Sequence, residues 1–276
     1  MNILLILHTL FVFIIGACIG SFLNVCISRW PADLSVVRPP SRCPKCAHGI
    51  SWFDNIPVLS WLLLGGKCRS CREPISPIYP AVELTVGLLF AGIVLWLGPT
   101  LVALRVALFA TILLGVALTD LQHYLIPDGF TISGLLLAVV GAVAGVMLGE
   151  ASPFAAPIDA MFGACVGAGA ITIVGWIGEV ILKKEAMGFG DATLMAMVGA
   201  AVGSARALLT IFVGAAIAAA VFLLVVYPVG MVRARARGAV FEPPLVPFGV
   251  FLAPAAFVTL IWGRELIDWY LSRMMG

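Results

Sequence analysis

Charge is scarce in this sequence: Asp, Glu, Lys and Arg make up 11% of its 276 residues, against roughly 25% in a soluble globular domain. That shortage excludes an ordinary water-soluble fold, because too few ionisable side chains exist to cover one. Histidine is scarcer still, and His8, His48 and His123 have no serine or cysteine nucleophile arranged as a Ser/His/Asp or Cys/His set. Triad-type nucleophilic hydrolysis is set aside on that ground. No Rossmann-type glycine fingerprint and no internal repeat is present, and a net charge of +2 offers no argument for a nucleic-acid partner. The apolar runs also lack the period-two alternation of barrel strands, which disfavours a transmembrane β-barrel.

What is present instead is hydrophobic length. The chain is 62% hydrophobic, its mean hydropathy is +1.13, and apolar runs of about 18 residues or more recur, each able to cross a hydrocarbon core of about 30 Å as a helix. The pattern predicts an all-α polytopic membrane protein of about eight transmembrane helices with one small polar loop domain, which the charge bias and the cysteines below identify as cytoplasmic and zinc-binding. The predicted spans are 3–28, 80–97, 101–119, 129–148, 158–182, 191–204, 206–230 and 247–271.

With eight spans the connections alternate sides. Arg29, Arg38, Arg42, Lys45, Lys67, Arg69, Arg72, Lys183, Lys184, Arg233, Arg235 and Arg237, 12 of the 16 basic residues, fall on one side, which the positive-inside bias makes cytoplasmic. Arg105, Arg206, Arg264 and Arg273 fall near the other. The first apolar run has no Lys or Arg ahead of it and exceeds the usual core of a secretory signal, so it is expected to stay as a helix. His8 within it is expected to be a packing residue. The Arg233–Arg237 cluster is expected to anchor the topology against anionic lipid.

Between the first two spans lie about 50 polar, proline-rich residues, 29–79. They carry Cys43-Pro44-Lys45-Cys46 and Cys68-Arg69-Ser70-Cys71, two C-x2-C knuckles separated by 21 residues. Four thiolates at that spacing can surround one tetrahedral Zn²⁺, and a four-cysteine site is coordinatively closed, hence structural and not hydrolytic. Disulfides are the competing reading, which a reducing cytoplasm argues against. A segment this short buries little core, so the metal is expected to supply much of its folding free energy. Cys18, Cys26 and Cys165 lie in apolar spans and are expected to act as small hydrophobes.

Two aspartates stand where apolar runs meet polar boundaries. Asp120 ends the third span ahead of Leu125-Ile126-Pro127-Asp128, where Pro127 forces a break. Asp128 begins the following helix and is expected to cap it. Asp191 follows Gly188-Phe189-Gly190, whose glycines allow close backbone approach. From the pattern alone, Asp191 reads equally as a helix cap and as a catalytic acid. Two carboxyls held together in a poorly solvated site cannot both ionise cheaply, so they share a proton; one can then activate water while the other hydrogen-bonds a substrate carbonyl.

These residues resemble the type 4 prepilin leader peptidases, polytopic GxGD aspartyl proteases of bacterial inner membranes. The resemblance runs over nearly the whole chain. It rests on Gly20-Ser21-Phe22-Leu23-Asn24-Val25, the tetracysteine loop with Asp54-Asn55-Ile56-Pro57-Val58-Leu59-Ser60-Trp61 and Tyr79-Pro80-Ala81-Val82-Glu83-Leu84, Asp120 with its tail, Gly188-Phe189-Gly190-Asp191, and Pro247-Phe248-Gly249-Val250. It implies three parts: a first transmembrane helix at 1–28, a cytoplasmic tetracysteine zinc domain at 29–79 and a transmembrane aspartyl peptidase domain at 80–276. It also implies that Asp120 and Asp191 are the catalytic pair, cutting short basic leaders of type 4 prepilins or type II secretion pseudopilins after Gly at the cytoplasmic face. Pilus or secretion assembly machinery and membrane lipid are the implied partners.

Long-form members with the tetracysteine loop commonly also N-methylate the new N-terminus with S-adenosylmethionine. No donor-binding residue can be assigned here. Glu83 could face that region, although a helix-start carboxylate is the simpler account. The competing readings are a peptidase without methyl transfer, an ion-coupled transporter whose intramembrane acids line a pathway, and an assembly scaffold with structural aspartates.

Overall fold

The computed structural model describes residues 3–149, 152–183, 187–238 and 244–275. Among them the chain forms ten α-helices: α1 (Ile3–Arg29), α2 (Leu59–Leu63), α3 (Ile78–Leu97), α4 (Leu101–His123), α5 (Asp128–Leu148), α6 (Pro157–Leu182), α7 (Phe189–Val202), α8 (Ser204–Val221), α9 (Tyr227–Ala236) and α10 (Gly249–Met275). The described residues hold no β-strand, only isolated bridges between Arg42 and Gly49 and between Lys67 and Pro74. Lys184, assigned above to the basic side, lies outside the described residues.

Seven of the eight expected spans are long and apolar enough to cross a membrane. The exception is α7, whose 14 residues reach about 21 Å at 1.5 Å per residue, short of a hydrocarbon core of about 30 Å. It stops at Gly203, whose φ of +86° suits glycine and permits α8 to begin at the next residue. At its far end α8 continues into a π-turn, Phe222–Val226, and then α9, so the helical run reaches Ala236, beyond the end expected near 230. The π-turn precedes Pro228, which lacks an N–H for the ladder and displaces it locally.

The chain packs as two compact units, Met1–Thr111 and Ile112–Gly276, with the division falling inside α4. In the first, α1 lies against α3 through small residues. A Cβ on Gly16 would meet the Phe90 side chain at 2.8 Å, and one on Gly20 would meet the Glu83 Cα at 2.8 Å. Asn24 donates from its side chain to the Tyr79 carbonyl at 3.0 Å. Leu7, Phe11 and Ile14 on α1 are exposed, as suits a surface solvated by lipid. Helices in lipid gain nothing by hiding leucine from their solvent, so close backbone contact and polar links must hold them together.

The second unit takes that logic further. The backbones of α6 and α7 touch at Gly163 and Gly199, where a Cβ on either would strike the other's carbonyl oxygen. Thr210 on α8 and Thr259 on α10 share a hydroxyl hydrogen bond at 2.5 Å. Buried Arg206 donates to the carbonyls of Pro153, at 2.7 Å, and Leu260, at 3.3 Å, satisfying backbone groups that lipid could not.

Candidate active site and metal centre

The second unit brings both aspartates to one place. Asp120 is buried in the last turn of α4. That helix runs four residues past the expected end at 119, because backbone hydrogen bonding is indifferent to the arrival of a polar side chain. It stops where Tyr124 adopts φ +54°, and the chain then turns through Pro127. Ile126, in this turn, is buried. A Cβ on Gly190 would lie 3.0 Å from Ile126 Cβ, and one on Gly249 would lie 3.0 Å from Ile126 Cδ1. The turn after Asp120, the glycine before Asp191 and the start of α10 are therefore packed around one side chain.

Asp120 is held from outside its own helix. Its Oδ2 accepts the backbone N–H of Val250 at 3.2 Å, the second residue of α10, where helix N–H groups lack intrahelical acceptors. A Cβ on Gly249 would approach that oxygen to 2.9 Å, so glycine makes the contact possible. Asp191 is half-buried at the third position of α7 and accepts the Gly188 N–H at 3.3 Å. Capping, one of the two readings of Asp191, is present, and it leaves the other carboxylate oxygen free of that contact. The two acids thus flank Ile126, Asp191 through its neighbour Gly190 and Asp120 through Gly249.

Two other acids behave differently from expectation or find a settled role. Asp128 is the first residue of α5, exposed, and makes no side-chain capping hydrogen bond. Pro127 occupies the cap position, so only a favourable alignment with the helix dipole is left for Asp128. Glu83 accepts the Val58 N–H at 2.7 Å. Val58 is a β-branched residue at φ +61°, a strained conformation, and Glu83 pins it. His123 is exposed at the end of α4. Ile126, Gly249 and Val250 carry no signal of a role in the sequence beyond their presence in the Leu125–Asp128 and Pro247–Val250 motifs.

In the first unit, the four cysteines Cys43, Cys46, Cys68 and Cys71 gather with their sulfurs within 4.8 Å of one another. The two knuckles share one local fold. In each, the first Cys donates its N–H to a carbonyl five residues on, His48 or Glu73, and accepts from the N–H four residues on, Ala47 or Arg72. Both Ala47 and Arg72 sit at positive φ. This common turn aims both sulfur pairs at one point.

The donor set fits a tetrahedral metal. Cys43 and Cys71 Sγ stand 3.8 Å apart, and thiolates at about 2.3 Å from a tetrahedral Zn²⁺ would be separated by about 3.8 Å. The N–H groups of Cys46 and Lys45 pull the Cys43 thiol down to about 6. The Glu73 N–H acts in the same sense on Cys71, but burial and the neighbouring sulfurs push that thiol up to about 12. The four sulfurs alone cannot all ionise at neutral pH, a conflict that a dication held by Cys43, Cys46, Cys68 and Cys71 would remove.

Comparison with known proteins follows the same division. Residues 14–97, which contain the cysteines, match the bacterial peptidase A24 N-terminal domain, and residues 107–224, which contain both aspartates, match the type IV leader peptidase family. A prepilin leader peptidase/N-methyltransferase of Myxococcus xanthus is 42% identical over 70% of this chain and 56% of its own length. Proteins of that name from Stutzerimonas stutzeri and Pseudomonas aeruginosa are each 35% identical over 94% of this chain and 92% of theirs. No solved structure matches the chain.

Proposed function

The chain belongs to the type IV leader peptidase family, and from that membership we propose that it is a membrane-embedded aspartyl endopeptidase with Asp120 and Asp191 as its catalytic pair. The observation that carries the proposal is the convergence of the two acids around Ile126, with Asp120 buried and held by the Val250 N–H. Two nearby carboxyls in a poorly solvated site cannot both ionise cheaply, so they share a proton. The ionised member takes a proton from a bound water, whose oxygen attacks the scissile carbonyl carbon. The protonated member donates a hydrogen bond to the carbonyl oxygen as charge develops there. Collapse of the tetrahedral intermediate breaks the C–N bond, and the departing amine takes a proton from the pair.

The substrates are prepilins or type II secretion pseudopilins, cut after Gly at the end of a short basic leader. The enzyme resides in the bacterial inner membrane with this site facing the cytoplasm, in reach of the leader and of pilus or secretion assembly machinery. The four cysteines hold a structural Zn²⁺. Methyl transfer from S-adenosylmethionine to the new N-terminus is the second activity, supported by the name that the relatives carry; a peptidase without it is the alternative. Glu83 is engaged by Val58, and no residue is assigned to the methyl donor, which supplies an electrophilic methyl group when bound.

The test is incubation of purified enzyme with a prepilin, with and without S-adenosylmethionine, followed by mass measurement of the product. Loss of the leader supports the peptidase, and one further methyl group appearing only with the donor supports the second activity. An uncleaved substrate defeats the first assignment, and a cleaved but unmethylated product defeats the second.

A further inference from the structure

Residues 52–63 of the first unit engage Asp54, Ser60 and the Trp61 indole N–H with protein partners and leave most of their large apolar side chains outward, with Asn55 the one exposed polar side chain, largely the reverse of a soluble loop. Ser60 Oγ accepts the Ile56 N–H and donates to the Phe53 carbonyl, both at 3.0 Å. Trp61 donates its Nε1–H to the Ile75 carbonyl at 3.0 Å. Asp54 is bound in two-pronged fashion by Arg69, at 2.8 and 2.6 Å, and that guanidinium also lies over the Phe53 ring, 5.7 Å from its centroid. Arg69 belongs to the second knuckle, so the cysteine cluster and the apolar segment are mechanically joined. Meanwhile Trp52 is 79% exposed, Leu62 62% and Leu63 78%, with Phe53, Ile56 and Leu59 exposed beside them.

The depth of this segment is set by Glu83. That residue lies five positions into α3, which starts at Ile78, or about 7.5 Å along the helix axis. Its carboxylate holds the Val58 N–H, so Val58 and the start of α2 at Leu59 lie beside the second turn of a membrane-spanning helix, not beyond its end. The outward residues of α3 at this level, Ile78, Tyr79 and Leu84, are likewise exposed and apolar. Between Arg29 and Tyr79 seven Lys and Arg face only Asp33, Asp54 and Glu73. The loop is therefore cationic even after the net negative charge of a four-thiolate zinc site is subtracted.

We infer that residues 52–63 are immersed in the bilayer interface, with Trp52, Leu59, Leu62 and Leu63 entering the headgroup and upper acyl region of an anionic phospholipid membrane. The occupant of this apolar face is lipid, because the face continues the lipid-exposed surface of α3 and stands beside basic residues that complement anionic headgroups. Its indole and leucine side chains suit the boundary, where one side is wet and the other apolar. The knuckles then serve as a rigid bracket that seats this shelf on the membrane.

The test uses the full chain reconstituted in nanodiscs containing anionic lipid. A nitroxide amino acid replaces Leu63, with reference labels at Lys45 on a knuckle and at Leu88 on α3, both exposed. Zinc content in each labelled protein reports that the knuckles are folded. Collision rates with oxygen, which partitions into lipid, and with a water-soluble nickel chelate define the depth. The ratio of oxygen to nickel collisions at position 63 is expected to exceed that at 45 and approach that at 88. A ratio equal to that at 45 places the segment in water and overturns the inference. Low collision with both reagents places it beneath protein, either a second copy or another partner, and overturns it as well.

Discussion

The tetracysteine loop and the aspartate site are built by opposite means. In the loop, order is local and polar: hydrogen bonds across four to nine residues shape the knuckles, the Asp54–Arg69 pair joins them to the neighbouring turn, and four sulfurs converge on one point. Around the aspartates, order is remote and steric: Asp120 meets Val250 across 130 residues, and glycines let backbones touch. With the proposed Zn²⁺ in place, the first arrangement depends on a ligand that can be removed, and the second on the absence of side chains that can be added. Each should therefore fail to a different insult, and the two should fail separately.

The sharpest separation comes from the acids. Asp120→Asn and Asp191→Asn are each expected to lower prepilin cleavage by about 10³-fold or more, at the upper end of what one acid–base group contributes, while leaving zinc content and thermal unfolding in detergent unchanged. Cleavage retained in either variant would falsify the dyad. Next is removal of the metal. Cys43→Ser, or prolonged chelation, is expected to abolish zinc binding and expose residues 29–79 to protease, with methylation reduced more than peptide cleavage. If both activities fell in parallel while the α5–α10 helices also became protease-sensitive, the two arrangements would not be independent.

A smaller effect tests the steric half without touching either acid. Gly249→Ala adds a methyl group 2.9 Å from Asp120 Oδ2, which must move the carboxylate or α10. Turnover is expected to drop roughly 10- to 100-fold, the scale of a displacement near 1 Å at a reacting group, with kcat affected more than KM. Gly199→Ala acts on stability instead, by forcing α7 away from the Gly163 carbonyl. Overpacking of this kind costs about 1–3 kcal/mol, read as a lower Tm with zinc retained. An unchanged Tm would mean that the α6–α7 contact is looser than its geometry implies.

The contrast also explains what could be read in advance. Spans were legible because lipid demands continuous apolar length, and the four-sulfur cluster because two C-x2-C knuckles leave their spacing in the sequence. Helix ends were less so: α4 passes Asp120 to reach His123, α7 runs 14 residues from Phe189 to Val202, and the run from α8 reaches Ala236 through a π-turn. Polarity marks where water begins, whereas φ +54° at Tyr124 and the proline at 228 decide where hydrogen-bonded ladders stop or shift. Asp128 makes no side-chain cap, against the expectation from its place at a helix start, because Pro127 takes the cap position. The partners of Asp120 were not legible at all, since nothing local to Asp120 names a residue 130 positions away.

The weakest link in the loop gives the finest test of how far polar order carries it. The Arg69 guanidinium, hydrogen-bonded to Asp54, holds that carboxyl below the usual carboxylate range. Such a group adds stability that is fully present above its unfolded pKa of about 3.9 and is lost as pH falls through the lower folded value. The thiolates intervene first, because Cys43 titrates near 6 without metal and acid competes for the zinc ligands well before Asp54 is protonated. Acid unfolding of the loop should therefore track zinc release and be nearly the same in Asp54→Asn as in the parent chain. The pair is visible only where zinc stays bound, at about pH 7–8. There Arg69 is 61% exposed, so screening should limit the effect: Asp54→Asn is expected to speed protease cleavage of the loop modestly at low salt, and the difference should shrink as salt is added. A salt-independent difference would mean that Asp54 acts through packing against Phe53 and Arg69, and that the loop's order is less electrostatic than its contacts suggest.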